Sequence, residues 1–189
     1  MEDFRDTIVG LDCEMVGVNN GWPKVSVLAR ACVVSGHGEV LIDEYCSSNQ
    51  KVTDYRTAIS GIEEKHMKNA QDFSALQLKV KNAIAGKIVV GHGLTHDFEC
   101  LKIDHPELMK RDTAEYFNGF LRTNKKPGLK ALAKNQLGQE IQNGAHSPSI
   151  DAKAALAIYV KNRKEWEEKP MNYGRFYDYD YDDYDYDYY

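Results

Sequence analysis

Five residues spread along this chain could do chemistry together. Asp12 and Glu14 stand two apart in the run Gly10 to Val18, Asp97 follows Gly91-His92-Gly93, and His146 precedes Asp151 around Ser147-Pro148. In a strand, residues i and i+2 point to the same face. Two acids on one face repel each other and are costly to desolvate unless a cation lies between them. The alternative is a strand end fraying into solvent, where acids cost little. Four converging carboxylates favour a hard cation with oxygen ligands, Mg²⁺ or Mn²⁺. Two such ions can activate a water and stabilise a leaving oxygen in phosphoryl displacement. A nearby imidazole is a natural base for that water. No serine or cysteine with the partners of a nucleophilic triad presents itself.

Those residues need elements that bring them together. Thr7–Met15, Val25–Val34 and Glu39–Tyr45 read as strands separated by glycine-containing stretches, as in an antiparallel meander. The period then changes. Asp72 reads as an N-cap, Phe73, Leu76, Val80 and Ile84 fall on one helical face, and Gly86 stops the helix. The all-apolar run Ile88-Val89-Val90 suits a central strand covered on both faces. Thr95 reads as the cap of a helix through Leu101, Lys110–Thr113 as a short edge strand, and Leu129–Leu137 as another helix. Ser147 as N-cap and Pro148 as first helical residue open a last helix running to about Lys161. Strands first and helix–strand alternation after them predict an α/β domain, a mixed sheet flanked by helices. Ligands are usually bound at element ends in such sheets, and all five residues fall there.

With 189 residues, 42% of them hydrophobic, the chain can bury the core of one domain. No stretch approaches the length of a membrane span, and Met1 to Asp6 has no apolar run to read as a secretory signal. Cys13, Cys32, Cys46 and Cys100 form no CxxC pair, which favours reduced thiols in an intracellular protein. The formal charge of -5 is unevenly spread: Phe176–Tyr189 hold six Asp and no Lys or Arg, and the remainder is close to neutral. Net charge therefore neither requires nor excludes a polyanionic partner. Arg122–Lys130 is the best candidate for a local basic surface, against a plain solvated loop. Apolar periodicity ends near Lys169, so residues 1–168 read as the domain and 169–189 as a low-complexity Tyr/Asp tail. That tail reads as a disordered solubilising extension, with autoinhibition by mimicry of phosphates and stacked bases as the alternative.

Asp12-Cys13-Glu14-Met15-Val16-Gly17, Gly91-His92-x-Leu94-x-His96-Asp97 and His146-Ser147-x-x-x-Asp151-Ala152 resemble the three motifs of the DEDDh 3′–5′ exonucleases. These belong to the ribonuclease H-like superfamily, and the likeness is closest to the branch of RNA exonuclease 4 and the interferon-stimulated exonuclease. Val52–Thr57 with Ser60–Ile62, Asp104–Pro106, Arg111–Thr113 and Tyr159–Glu167 extend it over about Thr7–Glu168. The resemblance implies a ribonuclease H-like fold with a five-stranded mixed sheet. It makes Asp12, Glu14, Asp97 and Asp151 the ligands of two Mg²⁺ or Mn²⁺, with Asp12 between the ions, and His146 the general base. Met15 and Arg56 would contact the terminal nucleotide, by packing and by hydrogen bonds. The implied activity is trimming of single-stranded RNA from its 3′ end to nucleoside 5′-monophosphates, in RNA processing. The implied setting is a monomer in the nucleus or nucleolus, with the cytoplasm and single-stranded DNA left open. Gly93 departs from relatives that carry a second acid there, and Ile150 stands where they usually have Glu or Gln.

Two other readings compete. One is a catalytically silent nucleic-acid-binding module of the same fold, although none of the five acid and base positions has been lost. The other is a zinc hydrolase built on His92, His96 and Asp97, since the histidines stand four apart. Gly91 and Gly93 predict a turn there in place of a continuous helix.

Overall fold

The computed structural model describes residues 3–19, 25–121 and 126–168. β1 (Ile8–Val18) pairs antiparallel with β2 (Val25–Ser35), and β2 with β3 (Val40–Tyr45), which is the meander the sequence predicts. Asp12 stands opposite Cys32 and Glu14 opposite Arg30, with a bulge directly after Glu14. β4 (Val52–Asp54) pairs antiparallel with the end of β1 at Gly17 and Val18, a sixth strand beyond the five expected. Three residues carry too little alternation to read as a strand; the pairing with β1 makes them one. Two short helices, α1 (Thr57–Ser60) and α2 (Glu64–Lys68), lead to α3 (Phe73–Ile84), which ends two residues before Gly86.

β5 (Ile88–Gly91) runs parallel to β1, α4 (Leu94–Leu101) follows it, and β6 (Lys110–Asp112) runs parallel to β5. The path β3-β2-β1-β5-β6 puts the apolar 88–90 run inside the sheet and Lys110–Asp112 at its edge, as expected. α5 (Thr113–Leu121) begins directly after β6 and was not foreseen. The expected helix over 129–137 is α6 (Leu129–Leu132) continued by a wider π turn, Ala133–Leu137. The last helix, α7, spans Pro148–Glu168, a residue set that outruns the expected end near Lys161. Tertiary contacts hold its final turns. Trp166 stacks on Tyr116 with centroids 3.8 Å apart, and Glu167 accepts from Arg111 at 2.8 and 3.0 Å and from the Tyr159 hydroxyl at 2.9 Å.

Alternation along β1 divides the core. Val9, Leu11 and Cys13 pack with Leu76, Val80 and Ile84 of α3 and Phe98 and Leu101 of α4. Ile8 points the other way, toward Ala152, Leu156, Tyr159 and Trp166 of α7. Each fully buried Leu or Ile contributes roughly 1.5–3 kcal/mol by leaving water. Gly10, Asp12 and Glu14 continue the row of Ile8, so both acids lie on the α7 side of the sheet. Among the described residues no helix is long and apolar enough to cross a membrane. The expected tail, residues 169–189, and Arg122–Lys125 of the basic run lie outside the described residues.

Candidate active site

Gly10 brings strand and helix together. A Cβ at that position would lie 2.9 Å from the carbonyl oxygen of Ala152, so only glycine lets α7 sit so close to β1. Asp151, the residue before Ala152, is thereby held on the same side as Asp12 and Glu14. The helix opens as expected: the Ser147 carbonyl accepts from the N–H groups of Ile150 and Asp151, both at 2.9 Å. The Ser147 hydroxyl pairs with Ser149 Oγ at 3.2 Å.

Asp97 arrives from the opposite side of the sheet. Its helix is not capped by Thr95, as the sequence suggests; it starts on Leu94, with Gly93 as N-cap at φ 75. The missing cap oxygen comes from Asp112, whose carboxylate accepts from Gly93 N at 2.9 Å and Leu94 N at 2.7 Å, and also from Ala114 N at 2.9 Å in α5. One acid at the end of β6 thus fixes two helix starts. The turn it builds points Asp97 at β1, where Cys13 offsets part of the cost of burying its carboxylate.

The four acids make an electrostatically costly cluster. Glu14, Asp97 and Asp151 are 6%, 4% and 3% exposed, so their charged forms have little water to rely on. Burial pushes the Asp12 carboxyl well above its usual range, and Asp97, Asp151 and Glu14 push it further. Burial raises Glu14 to about 8, Asp151 adds to the rise, and Arg30 across the strand pair opposes it. Burial also raises Asp97 and Asp151; Cys13 counters it at Asp97, and Gln142 followed by His146 counters it at Asp151.

His146 stands at the mouth of this cluster, 33% exposed, with Nδ1 3.7 Å from Asp151 Oδ2. Its backbone N–H donates to the Ile59 carbonyl at 2.6 Å, so the α1 segment holds the loop. Met15 packs against the β1–α3–α4 core just past the bulge. Arg56, at φ 50, donates from Nη2 to Ser26 Oγ at 2.9 Å, and its guanidinium lies beside Gly17 on β1. The histidine pair does not form a zinc site: His92 Nδ1 meets Thr113 Oγ1 at 2.9 Å, whereas His96 faces Glu99 at 3.6 Å from an exposed position. Gln142, which no sequence pattern marks, donates from Nε2 to Asp151 Oδ2 at 2.8 Å.

Among the described residues no three His, Cys, Asp or Glu side chains are drawn close enough to enclose a metal ion. The donor set nevertheless fits one. It is all oxygen, it is desolvated, and its members destabilise one another's charged forms. Asp151 Oδ1 is buried without a hydrogen-bond partner, an arrangement that a cation would relieve.

The sequence profile of the exonuclease family RNase_T matches residues 9–159. RNA exonuclease 4 of Gibberella zeae is 42% identical over 161 residues, covering 84% of this chain and 50% of that protein. RNA exonuclease 4 of Saccharomyces cerevisiae is 40% identical over 162 residues, covering 85% and 56%. The chain thus spans about half the length of these relatives. Among solved structures, the Saccharomyces cerevisiae Pan2 pseudoubiquitin hydrolase-RNA exonuclease module in complex with A7 RNA superposes with a TM-score of 0.75 at 30% identity, over 86% of this chain and 29% of that one. Fold, motif order and profile agree: the chain belongs to the exonuclease family.

Proposed function

We propose that this chain is a 3′–5′ exoribonuclease that removes nucleoside 5′-monophosphates one at a time from the 3′ end of single-stranded RNA. The observation that carries this reading is the convergence of four desolvated carboxylates from β1, α4 and α7, one of them with an unpartnered oxygen, beside a half-exposed histidine. Asp12, Glu14, Asp97 and Asp151 would hold two Mg²⁺ or Mn²⁺, which when bound supply Lewis-acid activation of the attacking water and charge stabilisation at the leaving oxygen.

The chain's own residues do the rest. His146 accepts a proton from the water, helped by its partial exposure at the mouth of the site. The water oxygen bonds to the phosphorus of the terminal nucleotide, the bond from phosphorus to the O3′ of the preceding nucleotide breaks, and that oxygen takes up a proton. A 3′-hydroxyl is left for the next round. Met15 packs on the terminal base or sugar, and Arg56 together with backbone near Glu14 and Met15 reads the 2′-hydroxyl. RNA is then preferred, and single-stranded DNA is a weaker substrate because phosphate and metal contacts do not depend on the sugar. That a module of similar fold is described with A7 RNA supports the choice of single-stranded RNA. A monomer working on RNA maturation in the nucleus is the setting we assign.

The test is product identity. Uniformly labelled single-stranded RNA should yield only nucleoside 5′-monophosphates on thin-layer chromatography, and a circular RNA of the same sequence should stay intact. Oligonucleotide products, or cleavage of the circle, would refute the proposal.

A further inference from the structure

Asp151 is 3% exposed, yet its two oxygens have different surroundings. Oδ2 accepts from Gln142 Nε2 at 2.8 Å, whereas Oδ1 is buried with no hydrogen-bond partner among the described residues. A buried carboxylate oxygen left without a donor is costly. The donor to Oδ2 comes from the loop that carries Gln142.

That loop is itself held in an uncommon shape. Gln142 has φ 55, the left-handed region that few non-glycine residues occupy. Two contacts keep it there. Lys130 Nζ donates to the Gln142 carbonyl at 2.9 Å. The preceding Ile141 is buried with Leu129, Ala155 and Ile158 beneath α6 and α7. Backbone strain of this kind persists where the surroundings over-determine it, and it collects at functional sites.

We propose that Gln142 is the positioning residue of Asp151: its amide occupies Oδ2 and so presents Oδ1 alone to a divalent cation. This rests on the reading of Asp151 as a metal ligand. Partners of ligating groups typically change metal affinity by 10–100-fold when removed, and Gln142 takes that part here. Lys130, by fixing the carbonyl, acts on the site at one further remove.

The experiment is a Mn²⁺ titration of the full chain, followed by electron paramagnetic resonance of the free ion, on wild type, Gln142→Met, Gln142→Asn and Asp151→Asn. Methionine keeps length and an unbranched Cβ but cannot donate. Its Mn²⁺ dissociation constant should rise by about 10-fold. Asparagine suits the left-handed backbone but is one methylene too short, so it should show the same loss, and it serves alone if the methionine variant does not fold. A lowered metal-free Tm with an unchanged Mn²⁺ dissociation constant in these variants would mean that Gln142 merely packs, and would overturn the proposal. If Asp151→Asn weakens Mn²⁺ binding and the Gln142 variants do not, the ligand assignment stands and the positioning role falls. If Asp151→Asn itself leaves Mn²⁺ binding unchanged, the reading underneath falls.

Discussion

The carbonyl oxygen of Ala152 lies 2.9 Å from the point where a side chain on Gly10 would begin, and Val34 Cγ2 lies 2.6 Å from it. This contact sets the distance between the strand carrying Asp12 and Glu14 and the helix carrying Asp151. Gly10→Ala should therefore move α7 outward, destabilise the fold by roughly 1–3 kcal/mol, and lower kcat more than it raises KM. Thermal melts and steady-state rates on an RNA oligomer check this. An unchanged Tm together with an unchanged rate would show that the approach does not matter.

Asp12 sits in a cluster that is unfavourable without cations, raised first by burial and then by Asp97, Asp151 and Glu14. Replacing it by a neutral amide of the same shape should relieve that cost. In EDTA, Asp12→Asn is expected to melt higher than wild type, by the equivalent of about 1 kcal/mol, while Mg²⁺ should stabilise wild type and leave the variant unmoved. Calorimetry with and without Mg²⁺ decides it. A variant that melts lower in EDTA would mean that the acid is a structural group.

Under the proposed function, Arg56 and Met15 contact the terminal nucleotide. Arg56→Ala should cut kcat/KM on RNA by about 10-fold, in line with loss of a charge-assisted hydrogen bond, with a far smaller effect on a matched DNA oligomer. Side-by-side kinetics on the two oligomers give the answer. Equal rates on RNA and DNA for wild type would contradict the assignment of a 2′-hydroxyl contact.

Far from the site, Arg111 and Glu167 tie the end of α7 to β6 at 2.8 Å. The hydrogen bond from Arg111 holds the Glu167 carboxyl below its ordinary value of 4.5, against the opposing effect of burial. A lowered folded value means that the unfolded chain takes up the proton first. The contribution is therefore complete above pH 4.5 and fades as pH falls through the folded value. Glu167→Gln should cost about 2 kcal/mol near neutrality, and the gap to wild type should narrow as pH falls below 4.5. A gap that stays constant across a pH series of melts would exclude the pair as its source.

Much of this was legible in the amino-acid order because the signals are local. Asp12 and Glu14 alternate with apolar neighbours, Ile88-Val89-Val90 is an uninterrupted apolar run, and Ser147-Pro148 punctuates the start of a helix. What was missed depends on partners distant in sequence. Asp112 reads as the end of a short strand, yet it caps α4 from 18 and 19 residues away and opens α5. Thr95 carries a good cap side chain, but Asp112 had already satisfied the helix start at Gly93 and Leu94. Gln142 has no neighbour that marks it, and only folding brings its amide to Asp151. Likewise the final turns of α7 are held by Arg111, Tyr116 and Tyr159 more than by helical periodicity.

The most direct measurement is a sequencing gel of 5′-labelled single-stranded RNA incubated with the protein in Mg²⁺, in Mn²⁺ and in EDTA, beside Asp12→Ala. A 3′–5′ exoribonuclease gives a ladder descending from the 3′ end in either metal, none in EDTA, and a loss of at least about 100-fold in the variant. An intact band in both metals from a protein that still binds the RNA would contradict that activity.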